Sequence, residues 1–157
     1  MAYWLMKSEP EVFGINHLAK CPKQTDMWDG VRNYQARNYL KTMQLGDLAF
    51  FYHSNANPPG IAGIMKITRT AYTDPTQFDP NDHHFDAKSD PKNPRWVAVD
   101  VTLVATFAEL ISLDNLKQYP ELAELAVVQR GNRLSVTPIP DNAWEFIKQL
   151  VTTKTAS

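Results

Sequence analysis

Trp28-Asp29-Gly30-Val31-Arg32-Asn33 places an aromatic ring, a turn-forming glycine, an arginine and a helix-capping asparagine in immediate succession. Further on, the apolar run Leu48-Ala49-Phe50-Phe51-Tyr52 ends in the polar His53-Ser54-Asn55. These residue types suit the recognition of a flat, polar ligand better than the breaking of a bond. Trp28 can serve as an apolar wall, and Gly30 lets the backbone come close to a ligand. Ser54 and Asn55 bring a hydroxyl and an amide for an edge that carries donors and acceptors. Lys7, Arg32 and Arg130 supply cations for phosphate or sugar. Trp4, Phe51 and Tyr52 are candidate second walls, although strand alternation keeps Phe51 and Tyr52 from facing one cavity. Plainer roles stand beside these. Trp4 lies in an apolar strand and reads as core before cage, Ser54-Asn55 has the composition of a turn, and Arg130 and Arg133 flank the turn-like Gly131-Asn132.

If the flat ligand were a nucleic-acid base, it would first have to leave the stack. Stacking that base on an aromatic ring contributes about 1–3 kcal/mol. Burying a single methyl adds only about 0.8 kcal/mol, on the order of fourfold in affinity. Methyl burial alone therefore makes no stringent reader; discrimination needs a tight pocket or polar contacts.

Two other kinds of function compete. Asp82-His83-His84-Phe85-Asp86 could ligate a divalent metal and so support an enzyme. Its spacing is not a recognised ligand pattern, however, and adjacent histidines on an extended chain point apart. Cys21 beside Pro22 has no neighbouring histidine to activate it, and His53 is expected as a satisfied, partly buried side chain. No catalytic residue, metal or cofactor is expected. The second competitor is a protein that holds a nucleotide-like metabolite instead of a polymer, which the net charge of −1 keeps open.

Those residues need a scaffold, and 157 residues suffice for one domain with a substantial core. Hydrophobic content of 43% and charged content of 21% are those of an ordinary soluble globular protein. The aromatic share of 11% is useful for stacking surfaces. A chain without net basicity does not hold long nucleic acid by charge alone, but a local basic patch is compatible with it. Arg130 and Arg133 lie in a stretch without acids, residues 126–137, whereas residues 73–90 are acidic. Arg32 and Arg130 are expected together on one electropositive rim. One cysteine allows no intramolecular disulfide and suits a reducing compartment. Residues 1–5 are too short for a signal-peptide core, and no apolar run approaches the length of a membrane span. The expected location is cytoplasmic, or nuclear in a eukaryote; no membrane partner is expected, and the oligomeric state is open.

Residues 3–6 read as a strand closed by the turn Lys7-Ser8-Glu9-Pro10. A short helix is expected over 16–19 with Asn16 as its cap. Asn33 caps a helix to about Met43, with Ala36, Leu40 and Met43 on one face. Residues 48–53 are apolar on both faces, which implies a strand buried on both sides or inside a barrel. Strands are expected over 60–72 and 96–107, the latter alternating and long enough to curve. Residues 73–95, with four prolines and five aspartates, read as a loop or short-helix excursion too polar for the core. Ser112 caps a short helix, Pro120 begins another, residues 134–136 form a brief strand, and 140–151 a closing helix with Trp144, Ile147 and Val151 inward.

The blocks Tyr3-Trp4-Leu5-Met6-Lys7-Ser8-Glu9-Pro10, residues 28–38, 46–55, 59–64, 94–101 and Gln129-Arg130-Gly131-Asn132-Arg133-Leu134-Ser135-Val136 resemble an EVE domain, a member of the PUA-like superfamily. The resemblance implies an α+β fold: a PUA-like mixed β-barrel of about five to six strands surrounded by short helices. It implies a single domain over 1–152, followed by a flexible tail at 153–157. It further implies a non-catalytic binding module that accommodates a modified base in an aromatic and polar pocket, the partner being modified DNA or RNA and modified cytosine in DNA a favoured ligand. To the site it adds Val31, Ser8, Leu134 and Ser135. Trp28→Ala is expected to abolish base-specific binding and leave the fold intact.

Overall fold

The computed structural model describes residues 1–151 in full and the helical backbone of residues 152–156; the side chains of the tail expected at 153–157, and all of Ser157, lie outside the described residues. Eleven main elements follow in order: β1 (Tyr3–Ser8), α1 (Pro10–Phe13), α2 (Ile15–Lys20), β2 (Thr25–Trp28), α3 (Tyr34–Thr42), β3 (Leu48–His53), β4 (Gly60–Thr73), β5 (Val97–Ser112), α4 (Leu113–Lys117), β6 (Val136–Ile139) and α5 (Asp141–Ala156). The six strands form one sheet in the order β2-β5-β4-β3-β1-β6. β1 runs parallel to β3, while the other neighbours are antiparallel. The α+β class, the six strands in mixed pairing and the short helices are as expected; the sheet stays open between its edge strands β2 and β6, where the expectation was a barrel. Register slips along the long β4–β5 pair, and one between Phe51 and Tyr52 of β3, bend the strands.

β3 explains why the sheet is covered on both faces. Ala49 and Phe51 enter one apolar cluster, with Trp28, Val31 and Leu40; Phe50 and Tyr52 enter the other, with Trp144, Leu116 and Ile147. Alternation puts successive side chains on opposite faces, so an unbroken apolar run demands two cores. α3 forms as its sequence dictates. The Asn33 Oδ1 accepts the Ala36 N–H at 3.0 Å, and Ala36, Leu40 and Met43 are all buried. Ser112 likewise caps α4 by accepting the Asn115 N–H at 3.1 Å.

Local differences have local causes. α2 begins at Ile15 behind Gly14, so Asn16 lies inside the helix and is not its cap. β1 continues through Lys7 and Ser8 because β3 pairs with it to the end, Lys7 opposite Tyr52 and Ser8 opposite His53. The last strand starts at Val136, leaving Leu134 and Ser135 in the approach to it. β2 escapes a pattern-based reading because Thr25-Asp26-Met27-Trp28 is short and lacks alternation; its pairing with β5 makes it a strand.

The acidic excursion departs most from expectation. All five aspartates fold it locally, each carboxylate accepting the backbone N–H two residues on: Thr76, Asn81, His84, Lys88 and Lys92 at 2.8–3.0 Å. This is the Asx turn, which aspartate adopts readily. Three polar residues of the segment, Asp74, Gln77 and Ser89, are buried. They are paired rather than stranded: Gln77 donates to the Asp74 and Trp96 carbonyls and accepts from Ser89 and the Trp96 N–H. Hydrogen bonding removes the penalty that polarity seemed to impose.

Candidate functional site

A cavity of about 410 Å3 opens where the end of β1, α1, β2 with its following turn, and the acidic excursion meet. That is the small end of the range for ligand pockets. Six of the expected site residues line it: Lys7, Ser8, Trp28, Gly30, Val31 and Ser135. Backbone pairing brings the first and last together, since the Lys7 N–H donates to the Ser135 carbonyl at 2.8 Å. Ser8 turns its hydroxyl to the Phe13 carbonyl at 2.7 Å and so holds α1 over the opening. Trp28 is 5% exposed and packs edge-on against Phe51 and Phe13, with ring centroids 5.2 and 6.2 Å away. It is both a wall of the cavity and a member of the core.

The other seven lie elsewhere. Trp4 is core: its Nε1 donates to Asp47 Oδ2 at 3.1 Å. Asn33 is occupied as the α3 cap. Ser54 donates its N–H to the Ser8 carbonyl and takes no place in the lining. Asn55 is exposed, sits at φ 49°, and reaches only the outer carboxylate of Glu9, at 3.4 Å. Arg130 is exposed in the loop before β6 and does not line the cavity. Leu134 lines a separate cavity of about 450 Å3 with Tyr39 and Pro138.

Arg32 is the largest correction. Instead of standing on a basic rim beside Arg130, it turns inward to clamp the acidic excursion. Nη1 meets Asp74 Oδ2 at 3.0 Å, Nε donates to the His84 carbonyl at 3.0 Å, and Nη2 donates to Thr76 Oγ1 at 3.1 Å. Asp74 also accepts the Gly30 N–H at 2.9 Å. Burial works to raise the Asp74 carboxyl, but bonds from Thr76, Gly30 and Arg32 outweigh it and hold the group below the usual carboxylate range.

This clamp delivers residues that the sequence did not place at the site. His83 and His84 reach the cavity wall, and the His84 ring lies so close to Gly30 that a Cβ there would meet its Nε2 at 2.5 Å. Phe13, Met27, Asp26, Glu9 and Asp29 complete much of the remaining lining. No local pattern announces Phe13 or His84, since their position depends on contacts across the fold; Asp29 lies within the motif, but the sequence alone does not separate a carboxylate that caps the backbone from one that faces a cavity. The histidines also do not point apart, because the chain there is a turn: their ring centroids are 3.8 Å apart. With Asp82 they are, among the described residues, the cluster able to hold a metal. Their donor atoms lie within 4.8 Å of one another, with Nδ1–Oδ1 separations of 3.8 Å from His83 and 3.2 Å from His84.

The charge of the cavity suits a base better than a phosphate. Glu9, Asp26 and Asp29 face one cation, Lys7. Burial lowers the Lys7 pKa, and among the described residues no carboxylate pairs with it. Burial raises the Asp29 carboxyl, the Asp74 charge adds to that, and His84 opposes it. His53 stands off the lining with its Nε2 accepting the Ile15 N–H at 3.1 Å, which fixes that nitrogen as an acceptor. Burial lowers its pKa. This is the satisfied, partly buried histidine expected from the sequence.

Comparison with known proteins now fits what the geometry shows. The EVE domain family matches residues 2–150. Thymocyte nuclear protein 1 of Rattus norvegicus is 48% identical over 94% of this chain and 73% of its own length. Its Homo sapiens counterpart is 45% identical over 95% and 73%. Among solved structures, a Pseudomonas syringae protein has a TM-score of 0.92 at 50% identity, covering 96% of this chain and 99% of that one. The human THYN1 protein in complex with 5-methylcytosine containing DNA has a TM-score of 0.92 at 45% identity, covering 96% and 98%. Matched by the family over residues 2–150 and by these relatives over nearly its whole length, this chain belongs to the EVE domain family.

Proposed function

We propose that this protein binds DNA containing 5-methylcytosine and takes the modified base, turned out of the stack, into the cavity between β1, β2 and the clamped excursion. One observation carries the proposal: a relative 45% identical, with a TM-score of 0.92 over 96% of this chain, forms a complex with 5-methylcytosine containing DNA. The cavity supports it by size and by lining, with an aromatic wall, apolar surface from Met27 and Phe13, and polar groups from Lys7, Ser8 and Ser135. That complex favours DNA over RNA and a reader over a catalyst. Lys7 at the cavity and the exposed Arg130 and Arg133 are the cations offered to flanking phosphates. The relatives' name supports a nuclear location for a eukaryotic bearer of this domain. Among the described residues no helix is long and apolar enough to cross a membrane.

The test is a panel of oligonucleotides identical except for one base, in DNA and in RNA, titrated at two salt concentrations. The proposal expects 5-methylcytosine DNA to bind more tightly than unmodified DNA by about fourfold or more, the methyl term alone. It also expects affinity to fall as salt rises. Equal affinity for modified and unmodified DNA, or stronger binding to the RNA series, contradicts it. Binding of a free nucleoside as tight as that of the oligonucleotide, with no salt dependence, would show a metabolite pocket instead.

A further inference from the structure

We infer that the Asp29 carboxylate is the acceptor that reads the exocyclic amine of the bound base, so that this site takes cytosines and rejects thymine. The inference rests on the proposed base pocket and assigns its specificity.

Three carboxylates line the cavity, and they differ in what already occupies them. Asp26 accepts the Met27 N–H at 2.8 Å through Oδ1 and faces the Cys21 thiol at 3.7 Å through Oδ2. Glu9 is exposed and takes the Asn55 amide. Asp29 is half-buried, and the hydrogen bond to its side chain comes from its own backbone N–H. A structural role as the cap of the turn would account for it, but Asp74 already fills that role. The Gly30 N–H and the Arg32 guanidinium both go to Asp74. Asp29 is thereby left between Trp28 and Gly30, beside the aromatic wall, and among the described residues no side chain donates a hydrogen bond to it.

A partly desolvated carboxylate in this position is costly until a donor arrives. Burial and the nearby Asp74 charge both act against its ionised form, which is the state a ligand donor would restore. Cytosine presents an N4 amino donor where thymine presents an O4 acceptor, and Asp is a natural partner for that amine. 5-Methylcytosine and thymine carry the same C5 methyl, so the apolar wall cannot separate them. The separation must come from the polar edge, at N3 or at the exocyclic position; a site built to bond the N4 donor strongly disfavours a ligand lacking it, and the N4-dimethylated base, which keeps the cytosine N3, isolates that contact.

The experiment uses short single-stranded oligonucleotides with one central 5-methylcytosine, thymine or N4,N4-dimethyl-5-methylcytosine, which avoids unequal costs of unpairing. Affinities are measured by fluorescence anisotropy for the wild-type protein and for Asp29→Asn. The wild type should prefer 5-methylcytosine over thymine and over the dimethylated base by about tenfold or more. Asp29→Asn can turn its amide either way and offers a donor to O4, so its preference over thymine should collapse toward unity. The dimethylated base tests the same contact without any substitution and stands even if the variant folds poorly. Equal wild-type affinity for the three oligonucleotides, or an unchanged ratio in folded Asp29→Asn, overturns the role of Asp29 and leaves the pocket intact. No wild-type binding to the 5-methylcytosine strand would remove the pocket proposal as well.

Discussion

Arg32→Ala separates two accounts of one residue, a phosphate contact on the surface or a clamp inside. The substitution removes the guanidinium from Asp74, Thr76 and the Val31 and His84 carbonyls. The Asp74 side chain has no exposure, so its charge would remain buried without its counter-ion. Removing one partner of a buried pair costs about 3–5 kcal/mol. Asp74 would keep the Gly30 N–H and the Thr76 N–H and hydroxyl, and the Arg32 side chain is 22% exposed, so the lower figure applies. We expect a loss of about 3 kcal/mol, or roughly 6–12 °C in Tm for a domain of this size. Urea unfolding of wild type, Arg32→Ala, Asp74→Ala and the double variant would measure it. The double variant should lose less than the sum of the singles, because each single already breaks the shared contact. Arg32→Lys should recover only part, since an ammonium cannot reproduce the planar fork. If Arg32→Ala stays within about 0.5 kcal/mol of wild type, and instead lowers the salt slope of duplex binding by about 0.9, the clamp is wrong and the arginine touches phosphate.

Further outcomes follow from the same geometry. Trp28→Ala should cost about 3–5 kcal/mol, because the ring is packed on Phe51 and Phe13; it is therefore no clean probe of binding, contrary to the sequence expectation. Trp28→Phe should stay folded and weaken oligonucleotide binding, whereas a fully stable Trp28→Ala would show that the ring is not tied into the core. Gly30→Ala should cost about 1–2 kcal/mol for its left-handed backbone at φ 76° and drive the His84 ring from the cavity wall, read as a lower Tm together with lost binding; unchanged values in both would contradict the close approach. Stability should fall with acid in two stages. His53, whose pKa is lowered on folding by burial, loses its contribution as pH drops below about 6.5, its unfolded value. Asp74, also lowered on folding, loses its contribution below about pH 3.9 and through its still lower folded value. His53→Leu should flatten the first stage while lowering stability at neutral pH, because the Ile15 N–H loses its acceptor; an unchanged first stage would show that another group titrates there.

The parts of this fold that the sequence makes legible are those whose cause is local. The spacing of Ala36, Leu40 and Met43 behind Asn33 defines α3, and the doubly apolar Leu48–His53 demands a strand with two covered faces. The site is legible where the chain positions it by one turn or one strand end, as with Trp28, Gly30, Lys7 and Ser8. It is illegible where position depends on distant partners. Arg32 looks like a free cation until Asp74, 42 residues away, is seen beneath it. His84 reads as part of a solvated loop because nothing nearby reveals that the clamp presses it against Gly30. Thr25–Trp28 has no strand signature of its own and becomes an edge strand by pairing with β5. Asp29 sat within the most prominent motif, yet its freedom to accept shows only once Asp74 is known to hold the turn.

The central claim is that a modified cytosine leaves the helix and enters the cavity beside Trp28. The most direct measurement places the fluorescent base 2-aminopurine next to a single 5-methylcytosine in duplex DNA and follows its emission as the protein is added. Extrusion of the neighbouring base unstacks 2-aminopurine and raises its fluorescence, so the account predicts a saturable rise that is smaller on the unmodified duplex. Tight binding to the 5-methylcytosine duplex with no rise in emission would contradict it.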